Sequence, residues 1–300
     1  MVRIRIVKEH PLLIVEDYGG SGIRRMGGRG GRGEGDENCV NARMVRYLVA
    51  ADLHIGFEHE LTAKGVRIDA SYVDEMLDEM LSVVRDERCN GIILLGDIKD
   101  SIRGISREEW KSIPSFIDGL VKHVDELYIV PGNHDSYLRR LLPYSVRVMG
   151  SKGMLIDDTL LIHGHTVPKI EGSGIRRVVM GHVHPIIKGE SILSGERVWM
   201  ILKVKLNSVH NNRINRSSDS NNYDNSNDDD YNNSYSSSSM KMFEIVVMPA
   251  FNRYLTSIGA RYKGDDILRV LWKDIKIVRA VILTLDGSIV GDENTLQRSI

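Results

Sequence analysis

Five short apolar runs, MVRYLVAAD, CNGIILLGD, ELYIVPGNHD, DTLLIHGH and RRVVMGHVH, each stop abruptly at a cluster of polar residues. Each run holds four to six apolar residues, as a strand buried on both faces does. Between them, DASYVDEMLDEMLSVVRDER repeats its apolar residues at helical spacing through Tyr72, Val73, Met76, Leu77, Met80 and Leu81. SREEWKSIPSFIDGLVKHV opens with a Ser106/Glu109 capping box and continues through Trp110, Ile113, Ile117, Leu120 and Val121, with a bend expected at Pro114. Strand and helix in alternation imply an α/β fold with parallel strand pairs, and these methionine and aromatic stripes read as its core.

Two segments break the pattern. Residues 19–38 are Gly/Arg-rich, and residues 207–239 are almost entirely Asn, Ser and Asp. Neither can bury enough apolar surface to offset its ordering entropy, so both read as disordered insertions. The second lies between the strand-like runs RVWMILKVKL and KMFEIVVMPAF, the position of a long hairpin tip and not of a domain boundary. The first contains GRGGRG, a formal GxGxxG match, but no helix follows it, so a linker is the better reading than a phosphate cradle. Arg24, Arg25, Arg29 and Arg32 in that segment remain available to a polyanion. The chain thus reads as a single domain over residues 1–300 with two insertions.

Composition narrows the partners. Cys39 and Cys89 are the only cysteines, which implies neither a disulfide framework nor a Cys-rich zinc site and fits a reducing compartment. The opening MVRIRIVKEHPLLIVED carries scattered charges and no signal-peptide pattern, and no stretch approaches the roughly 20 apolar residues of a spanning helix. A soluble, cytoplasmic protein without a membrane partner is expected. With 40 basic against 41 acidic residues, any anionic ligand must be held by a local site.

Such a site is offered where the strands end. The junctions are Asp52-Leu53-His54, Gly96-Asp97, Gly132-Asn133-His134-Asp135, His163-Gly164-His165 and Gly181-His182-Val183-His184. In open α/β sheets the loops after the carboxyl ends of strands converge on one crevice. Six of the ten histidines fall at these junctions. A lone buried histidine is usually an ordinary core residue, but burying five such clusters together without a partner would cost on the order of a few kcal/mol for each polar group. Metal ions remove that cost. Imidazole, carboxylate and carboxamide without thiolate suit manganese, iron or zinc. The candidates are too many for one ion, and two ions about 3.5–4 Å apart with a shared carboxylate are the usual solution. Asp97, preceded by a glycine that permits a tight turn, is the expected bridge.

The ordered set DxH, GD, GNHD, HGH and GHVH, each part after a strand, resembles the calcineurin-like metallophosphoesterase superfamily. ADLHIGFEHELTAKGVRI, the GHVHP ending and the later VVMPAFNRYLT are similar to a compact archaeal and bacterial branch, related to SbcD-type repair nucleases and to phosphoesterases found alongside DNA ligases. The resemblance implies a four-layer αββα sandwich of mixed sheets flanked by helices. By motif, Asp52, His54, Asp97 and His184 would hold one ion, and Asp97, Asn133, His163 and His182 the other. The ions would be manganese, with iron, zinc or nickel as alternatives. His163, nearer its strand end, is preferred over His165, which would contact substrate or support a ligand.

The implied reaction is hydrolysis of a phosphate ester by hydroxide formed at the two ions, with attack in line on phosphorus. His134 would stand free of the ions and stabilise developing charge or protonate the departing oxygen. Asp135 would orient that imidazole or cap a helix before SYLRRLL. Asn252 and Arg253 line the substrate cleft or form an ordinary turn. A phosphodiesterase acting on nucleic acid or nucleotides leads the expectation. The alternatives are a phosphomonoesterase acting on metabolites or phosphoproteins, and a non-catalytic scaffold on the same fold.

Overall fold

Two mixed β-sheets share one apolar layer, and helices cover the outer side of the first sheet. The computed structural model describes residues 2–18, 23–25, 44–66, 68–69, 71–166, 170, 174–188, 190–206, 242–256 and 275–295. The first sheet contains β1 (Val2–Ile6), β2 (Leu13–Asp17), β4 (Val45–Ala50), β5 (Gly91–Leu94), β6 (Glu126–Ile129) and β7 (Arg147–Val148), adjacent in that order. The second runs β14 (Ile289–Asp292), β13 (Ile275–Thr284), β11 (Val198–Leu206), β12 (Met242–Val247), β10 (Arg177–Met180), β9 (Thr159–Ile162), β8 (Met154–Ile156) and β3 (Arg24–Arg25). Strands β4 to β7 are parallel in the first sheet, as are β9, β10 and β12 in the second. The remaining pairs are antiparallel, which gives the mixed α/β class expected.

Alternation along each strand sorts the core into layers. Leu48, Ala50, Ile92, Leu94, Leu127 and Ile129 face the helices. Their neighbours Val49, Ile93 and Tyr128 face Leu161, Val179, Trp199 and Val246 of the second sheet. Helix α2 (Tyr72–Asp86) buries Tyr72, Met76, Met80 and Leu81 against the first sheet, as its spacing predicts. Helix α3 (Arg107–Val121) starts at the expected Ser106/Glu109 capping box and runs on through Pro114. Trp110 departs from the expected stripe: it is 51 % exposed, because the fully buried Glu109 takes the inward position in that turn. The outer cluster of the second sheet draws no residue from α1 (Phe57–Ala63), α2 or α3, so the described residues show three of the four expected layers.

The 207–239 insertion lies outside the described residues, but β11 and β12 on either side of it pair antiparallel from Met200↔Val247 to Lys205↔Met242. That is the pairing a hairpin requires. Most of the 19–38 segment, GRGGRG included, also lies outside them; residues 24–25 pair with β8 as a short strand instead of being wholly irregular. Among the described residues, no helix is long and apolar enough to cross a membrane.

Candidate metal centre

The parallel strands of the two sheets bring their carboxyl ends to one place. Asp52 and His54 follow β4, Asp97 follows β5, and Asn133 and His134 follow β6. From the second sheet, His163 and His165 follow β9, and His182 and His184 follow β10. To turn this sharply the backbone enters the left-handed region at Asp52 (φ 59°), His54 (44°), Asp97 (48°), His182 (69°) and His184 (47°). Such conformations cost a non-glycine residue on the order of 1–3 kcal/mol each, and they persist where surrounding structure enforces them for a function. Close approach also demands a glycine: a Cβ on Gly132 would lie 2.1 Å from Asp97 Oδ1.

Three overlapping groups of ligand atoms result: Asp52 with His54 and His184, His54 with Asp97 and His134, and Asp97 with His163 and His182. Asp52 Oδ1 is 3.2 Å from His184 Nε2. Asp52 is oriented by the backbone N–H of His182, which donates to both carboxylate oxygens at 3.1 and 2.9 Å. Asp97 belongs to two of these groups, with Oδ2 at 3.4 Å from His54 Nε2 and 3.2 Å from His163 Nε2. It also lies 3.9 Å from His134 Nε2, and its Oδ1 accepts from the His134 backbone N–H.

Hydrogen bonds on the far side of each ring fix what the near side offers. His163 Nδ1 donates to the Leu95 carbonyl at 2.8 Å, so a neutral His163 presents the Nε2 lone pair inward. That nitrogen meets Asp97 Oδ2 and Asn133 Oδ1, both at 3.2 Å, and His182 Nδ1 at 3.1 Å. One proton on Nε2 satisfies one of these neighbours; a divalent cation satisfies all of them. His54 Nδ1 meets Asp100 Oδ1 at 3.0 Å, leaving Nε2 facing the centre. The Nε2 atoms of His54 and His184 are buried without a hydrogen-bond partner. The donor set therefore fits two cations of the imidazole- and carboxylate-binding kind.

Electrostatics agree with that chemistry. Burial alone would raise the Asp97 pKa, but His163 and His54 outweigh it and hold the carboxyl well below the usual range. Burial pushes His54 down, yet Asp100 and Asp97 prevail and raise it to about 10; His163 is raised to about 9 by Asp97 and Asp52 against the same opposition. His182 goes the other way, lowered to about 4 by burial and by His163. The negative charge gathered here draws cations, whether protons or metal.

The sequence profile described as calcineurin-like phosphoesterase matches residues 45–208. The chain belongs to that family. The matched span contains every strand-end cluster from Asp52 to His184. Among solved structures, the phosphoesterase is similar to the nuclease MPE of Pseudomonas putida, with 21 % identity, a TM-score of 0.37 and coverage of 51 % of this chain and 68 % of that one. It is also similar to YfcE, a phosphoesterase from E. coli (17 % identity, TM-score 0.32, coverage 48 % and 74 %). A third is the protein of unknown function AQ665 from Aquifex aeolicus (16 % identity, TM-score 0.28, coverage 46 % and 79 %). No curated protein matches the chain.

Two expected roles in this phosphoesterase change in the structure. Asp135 neither orients His134 nor caps a helix with its side chain. Its carboxylate accepts from the backbone N–H groups of Gly132 (2.7 Å) and Ile98 (2.8 Å), clamping the β6 loop to the β5 loop. His134 is oriented instead by Asp100, whose carbonyl accepts from Nδ1. Asp100 was not marked by the sequence, and its one signal is a carboxylate three residues past Asp97 in the same loop. Glu109 holds that loop in turn, accepting from the N–H groups of Asp100 (3.0 Å) and Ser101 (2.7 Å) beyond its capping-box bond.

Asn252 does not line a cleft. It is fully buried; its amide donates to the Leu53 carbonyl at 2.9 Å and its oxygen accepts from Tyr72 Oη at 3.0 Å. It braces the Asp52–His54 turn from behind. His165 stands outside all three groups, 5.3 Å ring to ring from His163, with a buried Nδ1 that has no hydrogen-bond partner.

Proposed function

We propose that this phosphoesterase hydrolyses phosphodiesters of nucleic acids or nucleotides with two divalent ions, manganese foremost, with iron, zinc or nickel as alternatives. Asp52, His54 and His184 would hold one ion, Asn133, His163 and His182 the other, and Asp97 would be shared. The observation that carries this reading is the ring of acceptors around His163 Nε2 beside a carboxylate that also reaches His54. When bound, the pair polarises phosphoryl oxygens and lowers the pKa of water so that hydroxide is available at neutral pH.

The chain's own residues do the rest. His134 combines a backbone carbonyl partner at Nδ1 with a side chain 20 % exposed, so in its imidazolium form, with Nδ1–H held by the Asp100 carbonyl, its Nε2–H is placed to protonate the departing oxygen. His165, beside His163, is the further contact for substrate.

Charge supports a diester over a monoester. Two divalent ions held by Asp52 and Asp97 would leave a surplus of two positive charges, which would suit a diester monoanion together with hydroxide. A monoester dianion would leave one negative charge over, and among the described residues the ion pairs of Asp52, Asp97 and Asp100 bring no Lys or Arg onto those carboxylates. The buried Lys99 spends its ammonium on the carbonyl of Ser101. Protein loaded with Mn²⁺ should therefore hydrolyse bis(p-nitrophenyl) phosphate with a kcat/KM at least about tenfold above that for p-nitrophenyl phosphate, a difference of about 1.4 kcal/mol in transition-state binding. The opposite ranking would make it a phosphomonoesterase.

A further inference from the structure

We infer that the surface following His134, from Tyr137 to Tyr144, is a track for single-stranded nucleic acid leading to the metal centre. The inference rests on the phosphodiesterase reading for the identity of its substrate. Residues 136–156 contain no Asp or Glu, but they hold Arg139, Arg140, Arg147 and Lys152. The whole chain balances 40 basic against 41 acidic residues, so a stretch of this length with one sign of charge is a local departure. It begins at the site itself, since Tyr137 lies three residues past His134 and within roughly 11 Å of it along the chain.

Its aromatic residues face water. Tyr137 is 58 % exposed and Tyr144 is 97 % exposed, where a packing role would have buried them. Tyr137 is held in a left-handed conformation (φ 63°) that a bulky residue avoids, beside a bond from Ser136 Oγ to the Ile102 carbonyl at 2.6 Å. A guanidinium backs each ring: Arg140 lies 5.1 Å from the Tyr137 centroid and Arg139 lies 5.8 Å from that of Tyr144. Arg139 is anchored by its bond to the Val146 carbonyl at 3.0 Å. Exposed Arg103, on the loop that carries Asp100, stands on the other side of the Ser136–Ile102 bond. Among the described residues, neither Arg103 nor Arg140 forms an ion pair.

A flat π-face with a cation behind it suits an unstacked base, and unpaired arginines suit the phosphates between bases. A duplex, whose bases are already stacked, could use the arginines but not the tyrosines. DNA and RNA single strands share this chemistry.

The test measures binding to Mn²⁺-loaded full-length protein by fluorescence anisotropy, with labelled phosphorothioate dodecanucleotides of DNA and RNA, a duplex of the same length, and heparin. Tyr144→Ser and Tyr137→Asn should each weaken single-strand binding about tenfold and change duplex and heparin binding less than about twofold. The stronger-binding single strand identifies the source. Unchanged single-strand affinity, or equal loss on all polyanions, would overturn the track. Hydrolysis of bis(p-nitrophenyl) phosphate by wild-type protein is followed in parallel. Hydrolysis with tyrosine-independent binding removes the track alone, whereas tyrosine-dependent binding without hydrolysis removes the phosphodiesterase reading alone.

Discussion

Replacing Asp97 by Asn should lower phosphodiester turnover by about three to four orders of magnitude, since both ions would lose the carboxylate proposed to be shared between them, and with it several kcal/mol of charge stabilisation. Asn matches Asp in shape, so the bond from the His134 backbone N–H to Oδ1 survives and the β5 and β6 loops stay together. What disappears is the negative charge 3.4 Å from His54 and 3.2 Å from His163. Unchanged far-UV circular dichroism would show that the loss is chemical and not a failure to fold. Turnover within about tenfold of wild type would mean that Asp97 is not the shared ligand.

His134→Gln should produce a loss that depends on the leaving group. A proton donor matters for a nucleoside alkoxide, which leaves poorly unprotonated, and hardly at all for p-nitrophenolate, which is stable as an anion. The expected fall in kcat is about 10²–10⁴-fold for a dinucleotide, the usual worth of general acid catalysis, and less than about tenfold for bis(p-nitrophenyl) phosphate. Metal content should be unchanged, because the proposed ligand set leaves His134 out; loss of an equivalent would instead make it a ligand beside His54 and Asp97. Equal losses on both substrates would assign His134 to charge stabilisation instead of proton transfer.

Local periodicity made the scaffold legible. Continuous apolar runs marked the strands that carry Leu48, Val49 and Ala50, and the 3.6-residue repeat marked Met76 and Met80 as core. The strand-end clusters were legible for the same reason, because parallel strands carry the residues after them to one edge. Hydrogen bonds between loops left no such trace. The pairing of Asp135 with Ile98 spans 37 residues, that of Asp100 with His54 spans 46, and that of Asn252 with Leu53 spans 199. Asp135 reads as an imidazole partner or a cap and Asn252 as a cleft contact or a turn, while Asp100 carries no reading, until the fold shows which group each serves. The short β3 strand was hidden likewise, since Gly/Arg composition carries no alternation to mark it.

The central claim is a pair of ions divided between two groups of ligands, and metal stoichiometry tests it most directly. After equilibration with Mn²⁺ and removal of free ion, the wild-type chain should retain two equivalents by elemental analysis. His182→Ala and His184→Ala should each retain one, lost from different sites, because His182 belongs to the Asp97 group and His184 to the Asp52 group. A single equivalent in the wild type, or loss of both ions from either variant alike, would contradict the account.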